Sequence, residues 1–192
     1  SFMNDGLLDM RWDTSMCLTA AEWLWESKEE VIARVLKVYG EERFARRIAH
    51  AIVAARQISA INTTAQLADL VAKAIPRHEK HKHPATRTFQ AIRIEVNQEL
   101  AELEQILDDA LKILSQGARL VVISFHSLED RIVKRFIKKQ SQGPQLPKGL
   151  PVQHQQTLGT MKAIGKAVFA SDAERQENPR ARSAVMRVAE VL

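Results

Sequence analysis

The stretch "ARLVVISFHSLEDRIVKRF" (residues 118–136) changes period halfway along. Leu120–Ile123 is an unbroken apolar run, mostly β-branched, and predicts a buried strand over about 119–124. Beyond Ser124, Phe125, His126 and Ser127 the spacing turns helical, with Ile132, Val133, Phe136 and Ile137 on one stripe. Ser127, with Asp130 three residues on, has the chemistry of a helix start. A strand running through a polar turn into a helix is half of an α/β unit. In open α/β sheets ligands sit beyond the carboxyl ends of strands, and Ser124, His126 and Ser127 occupy that place. A lone histidine there serves equally as a base, a hydrogen-bond donor to a ligand or a turn residue, and no Ser–His–acid order emerges from the chain.

Reading downstream, residues 140–151 form a loop rich in Gly and Pro (Gly143, Pro144, Pro147, Gly149, Pro151). Two runs, about 162–169 and 183–191, alternate as strands do, and "SDAERQENPR" (171–180) between them reads as a short helix or turn. Upstream, Pro84 suits the first turn of a long helix. Its stripe is Phe89, Ile92, Val96, Leu100, Leu103, Leu107 and Leu111, and it ends near Leu114 with Gly117 behind it. Before it come shorter helices. Thr19 with Glu22, and Ser27 with Glu30, have capping-box spacing; Gly40 punctuates the second helix. Residues 41–55 predict a third helix, and Thr64 opens a fourth that stops at Pro76. The order is therefore helical first, then α/β. One apolar strand between two helices cannot make a sheet alone, so partner strands are required.

The 192 residues suffice for one or two small domains, and 45% hydrophobic with 27% charged residues is a globular composition. No apolar run approaches the ~20 residues that span a bilayer, and no charged-then-apolar leader opens the chain. Cys17 is the single cysteine, which excludes an internal disulfide and suits a cytoplasmic protein. The chain begins at Ser1 without an initiator Met, as an interior start would.

The net charge is +5, and the cations are segregated. Arg131, Lys134, Arg135, Lys138, Lys139 and Lys148 contain no acid among them; Arg77, Lys80, Lys82, Arg87 and Arg93 form a second basic stretch. Glu95, Glu99, Glu102, Glu104, Asp108 and Asp109 form an acidic block. Such segregation fits a phosphate-bearing partner or a set of solvated helix faces. Within it, Arg87 and Arg93 could equally pair with the acidic face. His78, His81 and His83 have a ligand-like spacing, but their Lys-rich surroundings oppose a cation, so no metal is expected. The seven glycines make no G-x-G-x-x-G after a strand. Trp12, Trp23 and Trp25 could stack on bases, although Trp23 and Trp25 also suit a core or its edge.

The blocks "FMNDGLLDMRWD", "AAEWL", "YGEERFARRIA", "HPATRTFQAIRIEVNQEL", "RLVVISFHSLEDRIVKRF" and "ENPRARSAVMRVAE" resemble, in order, the bacterial small-subunit ribosomal RNA (cytosine-N4)-methyltransferases. The resemblance runs from Ser1 to the end. It implies an α/β fold: the C-terminal part of a Rossmann-like methyltransferase sheet with an inserted all-helical domain. Residues 1–13 would then end the N-terminal methyltransferase segment, 14–95 would be the helical, RNA-recognising insertion, and 96–192 the C-terminal part of the methyltransferase domain. The implied reaction is S-adenosylmethionine-dependent methylation of a cytidine N4 in the decoding region of 16S rRNA, in the cytoplasm, on the small ribosomal subunit.

The family's cofactor loop, acidic ribose ligand and first four strands precede the point matching Ser1, so no cofactor-binding residue is expected in this chain. "SQGARL" also replaces the family's P-G-G-R-L, with Ala118 where glycine is common. Asp9, Ser124 and His126 become candidates near the cleft, without a catalytic role assigned to any of them. Arg77, Lys80, Lys82 and Arg87, together with Lys134, Arg135, Lys138 and Lys139, become RNA-binding candidates. Activity of the isolated chain is doubtful on this reading, and the alternative is a non-catalytic RNA-binding module or inert fragment. An open edge on strand 119–124 would favour a homodimer or strand-swapped oligomer.

Overall fold

Local capping chemistry sets the first helix. Thr19 accepts from the Glu22 N–H, and Glu22 reaches back to the Thr19 N–H at 2.8 Å, closing a capping box on α1 (Ala20–Glu26). The computed structural model describes residues 5–15, 18–76, 83–142 and 159–192. It divides into two units, Ser1–Glu99 and Leu100–Leu192.

The first unit continues with α2 (Glu29–Gly40), α3 (Ala45–Arg56), α4 (Thr64–Ala74) and α5 (Thr86–Val96). Leu24, Ile32, Leu36, Ile48, Ile52, Leu67 and Ile92 fill its core. The segment before α1 joins that core through Leu8, whose N–H donates to the Asn62 carbonyl at 2.9 Å.

Two local expectations differ from the structure. Ser27 does not open α2: its N–H closes α1 on the Trp23 carbonyl, and α2 starts after Lys28 without a side-chain cap. Arg56 takes the carbonyls of Leu24 and Ser27, which holds the chain in that turn, and Glu29 and Glu30 meet the positive end of the α2 dipole. Thr64 opens α4 as expected, with Thr63 as its cap in a box with Gln66. The long helix predicted from Pro84 is two helices, α5 and α6 (Glu99–Ile113). Gln98 takes a left-handed φ of 51° at the break. Buried Asn97 secures it, accepting from the Trp12 N–H at 2.7 Å and donating to the Met10 and Arg93 carbonyls at 2.8 and 2.9 Å. The apolar stripe passes through this break unchanged, because Val96 and Leu100 keep a helical spacing of four.

The second unit runs α6, β1 (Arg119–Ser124), α7 (Ser127–Gln142), β2 (Met161–Phe169), α8 (Asp172–Glu177), a 3-10 turn (Pro179–Ser183) and β3 (Val185–Val191). Its sheet has the order β1-β3-β2 and is antiparallel throughout, with Val121 opposite Val188 and Val168 opposite Met186. Leu107, Val133, Ile137, Met161 and Ala189 form its core, with Leu120 and Val122 packed against them. The apolar run predicted a fully buried β1, but Val121 and Ile123 are more than half exposed. Among the described residues, helices cover one face of this strand and β3 pairs with one edge, so only alternate residues are buried.

Candidate functional site

β1 ends on Ser124, whose side chain is buried in the sheet opposite Val185. The turn that follows is built by His126, and the expectation that Ser127 caps α7 is corrected. Ser127 is the first helical residue, and the preceding His126 does the capping. Its Nδ1 lies 3.4 Å from the Glu129 N–H, while Glu129 Oε2 accepts from the N–H groups of His126 and Phe125 at 3.2 and 2.8 Å. This is a capping box with an imidazole in place of the usual hydroxyl. Accepting at Nδ1 places the proton of a neutral ring on Nε2. Nε2 stands 3.2 Å from Glu129 Oε1. Nε2 is buried and not aligned for a hydrogen bond there, so it is Nδ1, with the Glu129 carboxylate on the turn's N–H groups, that makes His126 a positioning residue holding the strand-end turn.

Burial pushes the Glu129 carboxyl up, but the His126 interaction and the two backbone N–H groups outweigh it and hold the pKa below its ordinary 4.5. A carboxylate with a depressed folded pKa contributes stability above its unfolded value and loses that contribution as pH falls through the folded one. Glu129→Gln should therefore make stability fall less steeply with acid below about pH 4.5. At neutral pH it should cost about 1 kcal/mol through the weakened cap. Urea midpoints measured from pH 6 to 3, with those pH values chosen to bracket the carboxylate range, test this. Parallel profiles for the two proteins would refute it.

Asp9 lies in the first unit, bound to Arg11 through Nε at 2.7 Å and Nη2 at 3.0 Å. The Arg11 hydrogen bonds hold the Asp9 carboxyl below its usual range despite burial. Its backbone carbonyl accepts from Ala20 at 2.7 Å, so it anchors the start of α1.

The basic candidates divide. Arg77, Lys80 and Lys82 lie outside the described residues, as do His78 and His81 of the histidine cluster. Arg87 donates to the Glu41 carbonyl at 3.5 Å, and Arg93 forms a two-pronged pair with Glu99 at 2.7 and 3.0 Å while lying over the Trp12 ring. Trp23 is buried, whereas Trp12 and Trp25 are exposed. On α7, Lys134 and Lys138 line a cavity toward β2, whereas Arg135 and Lys139 line another with Glu104 and Asp108 of α6. Successive helical residues turn about 100°, so one basic run serves two sides of the helix.

Two cations at the β2 cavity escaped the sequence reading. Lys166 follows Gly165, a glycine inside an alternating strand that does signal a bulge. Arg187 is paired with Asp130 at 2.6 and 2.9 Å, a contact between residues 57 apart for which the sequence carries no local signal.

A family profile described as the MraW methylase family matches residues 1–192. The chain is also similar to the ribosomal RNA small subunit methyltransferase H of Thioalkalivibrio sulfidiphilus (strain HL-EbGR7), 57% identical over 193 residues. That match takes in 100% of this chain and 62% of the relative, so the chain spans about three-fifths of the curated protein it matches.

Proposed function

The chain belongs to the MraW methylase family, and we propose that it is part of an S-adenosylmethionine-dependent methyltransferase acting on the N4 amine of a cytidine in the decoding region of 16S rRNA. The observation that carries this reading is the family match across every residue, supported by a relative whose name states small-subunit rRNA methylation. On the same reading, residues 14–95 are a helical insertion that meets RNA, flanked by the methyltransferase segments 1–13 and 96–192 of a Rossmann-like sheet. The partner is the small ribosomal subunit, in the cytoplasm.

S-adenosylmethionine supplies a methyl already activated on a sulfonium, so the chemistry asks the protein chiefly for position. The cytosine N4 lone pair is delocalised into the ring, and a site must hold that amine while its nitrogen turns pyramidal. The β1–α7 turn suits positioning: its backbone is fixed by the His126–Glu129 box at the end of a strand. Ser124 and Asp9 stay candidates for polar contacts near the cleft.

On this reading we assign no cofactor contact to the described residues. The two strand-to-helix turns of the second unit, Phe125–His126 and Ala170–Ser171, have no glycine, and the glycines with positive φ, Gly117 and Gly165, do not lead from a strand into a helix.

Two measurements test the reading. Small subunits incubated with tritiated S-adenosylmethionine and the full-length protein should yield labelled N4-methylcytidine on nuclease digestion, and label confined to another nucleoside would overturn it. The 192-residue chain alone should give no calorimetric heat with S-adenosylmethionine; binding at micromolar concentration would overturn the cofactor assignment.

A further inference from the structure

A cavity of about 340 Å³ lies between α7 and β2, within the second unit. Lys134 and Lys138, one turn apart on α7, and Lys166 on β2 stand around it, and Arg187 contributes to its wall. Ile137 and Ala163 supply apolar lining. The volume falls in the roughly 300–1,000 Å³ range of small-molecule sites, at the end that suits about one nucleotide.

Three features set this cavity apart from a solvated basic face. A bulge in β2 shapes it: Ile164 pairs with Val188 and Val168 with Met186, four steps along one strand against two along the other. Gly165 takes φ 66° inside the bulge, and the extra residues carry Lys166 out of the ladder's register. The acid closest in sequence to the α7 lysines, Asp130, is already taken by Arg187. Lys134, Lys138 and Lys166 form no ion pair among the described residues. Finally, the Ser141 hydroxyl at the cavity donates to the Ile137 carbonyl at 2.7 Å and is committed there. Gln142 is the one side-chain amide in the lining, while phosphate meets three ammonium groups that form no ion pair among the described residues. Recognition of that kind is electrostatic and stacking-tolerant rather than sequence-reading.

We propose that this cavity holds one nucleotide of a single-stranded RNA segment, its phosphate among Lys134, Lys138 and Lys166 and its base against the Ile137–Ala163 lining. The proposal rests on the reading that the substrate is ribosomal RNA. Arg135 and Lys139, which share their cavity with Glu104 and Asp108, take no part in it.

The test uses a fluorescein-labelled oligoribocytidylate and the 192-residue chain, with anisotropy read across a salt series. Neutralising the three lysines (Lys134→Gln, Lys138→Gln and Lys166→Gln together) should weaken binding at least about tenfold near 0.1 M salt and flatten the log–log salt slope by roughly 2. The triple Lys→Arg variant should bind within about twofold of the parent, since the phosphate contact needs only the charge. The pair Arg135→Gln and Lys139→Gln should change affinity less than about twofold, because Glu104 and Asp108 in the same cavity offset their charge. An abasic oligomer of equal length should bind more weakly by about the stacking of one base, ~5-fold or more.

Equal losses from the lysine set and from the Arg135/Lys139 set would show charge without a site. Equal binding of abasic and base-bearing oligomers would remove the nucleotide from the cavity. Either result overturns the proposal. The lysines are on the surface, and circular dichroism of each variant verifies folding. If the RNA discrimination holds while small subunits gain no N4-methylcytidine, the catalytic reading fails and the cavity stands.

Discussion

Asp130→Ala is expected to destabilise the second unit by about 2–4 kcal/mol, because it strands a guanidinium that is largely out of water. Arg187 and Asp130 are each only about one-fifth exposed in their side chains (20% and 21%), and they meet through two hydrogen bonds. The Asp130 hydrogen bond raises the Arg187 pKa further, against the opposing effect of burial. The pair ties α7 to the central strand β3 over a small core of Leu107, Val133, Ile137, Met161 and Ala189. Residual exposure keeps the effect at or below the roughly 3–5 kcal/mol typical of breaking a fully buried pair. Replacing both residues with apolar ones should recover part of the loss, since no unpaired charge is left behind. Trp12, Trp23 and Trp25 all lie in the first unit, so hydrogen exchange at the β1 and β3 amides is the suitable probe. Exchange free energies within about 0.5 kcal/mol of the parent would mean that the pair is only a surface contact.

Gly40→Ala should cost the first unit about 1–3 kcal/mol. A Cβ at Gly40 would stand 2.7 Å from the Arg87 carbonyl oxygen and 3.3 Å from the Ala91 Cβ, so α2 and α5 must separate to admit it. The obstacle is backbone, which cannot swing aside as a side-chain tip could. In an isolated helix the same change would be favourable, because alanine is the better helix former. The sign of the effect therefore reports the close approach of the two helices. Buried Trp23 gives a fluorescence transition within this unit, and a midpoint equal to or above that of the parent would refute the close contact.

Gly40 also shows how far a sequence signal reaches. As punctuation it marks the end of α2 correctly, but the left-handed residue there is Glu41, at φ 48°. The glycine is needed for a neighbour 47 positions away. The capping boxes behave differently. Thr19–Glu22 is legible from four residues because its partners lie within one turn. The Ser27–Glu30 spacing is identical, yet Arg56 and the end of α1 claim that stretch first. Asn97 breaks the predicted long helix by hydrogen bonds to Met10 and Trp12, and the Trp12 backbone is 85 residues away.

At the candidate site, the place was legible and the roles were not. The change of period at residues 118–136 located the strand end, the turn and the helix, and placed Ser124 and His126 there. That the imidazole acts as a helix cap depends on ring orientation, which no spacing encodes. The helical period of α7 separates Lys134 and Lys138 from Arg135 and Lys139, but it does not say which pair looks at acids and which at a cavity.

By itself, the sequence determined the helical first half, the strand–turn–helix after Ala118, the two alternating strands near the end and the family resemblance. Those depend on period, capping chemistry and motif order along a few neighbouring residues. Tertiary structure alone decided the break at Asn97, the order β1-β3-β2, the Asp130–Arg187 tie and the bulge-shaped cavity with Lys166 in its rim. Each of these brings together residues far apart in the chain, and their energies arise only once burial has removed water from between them.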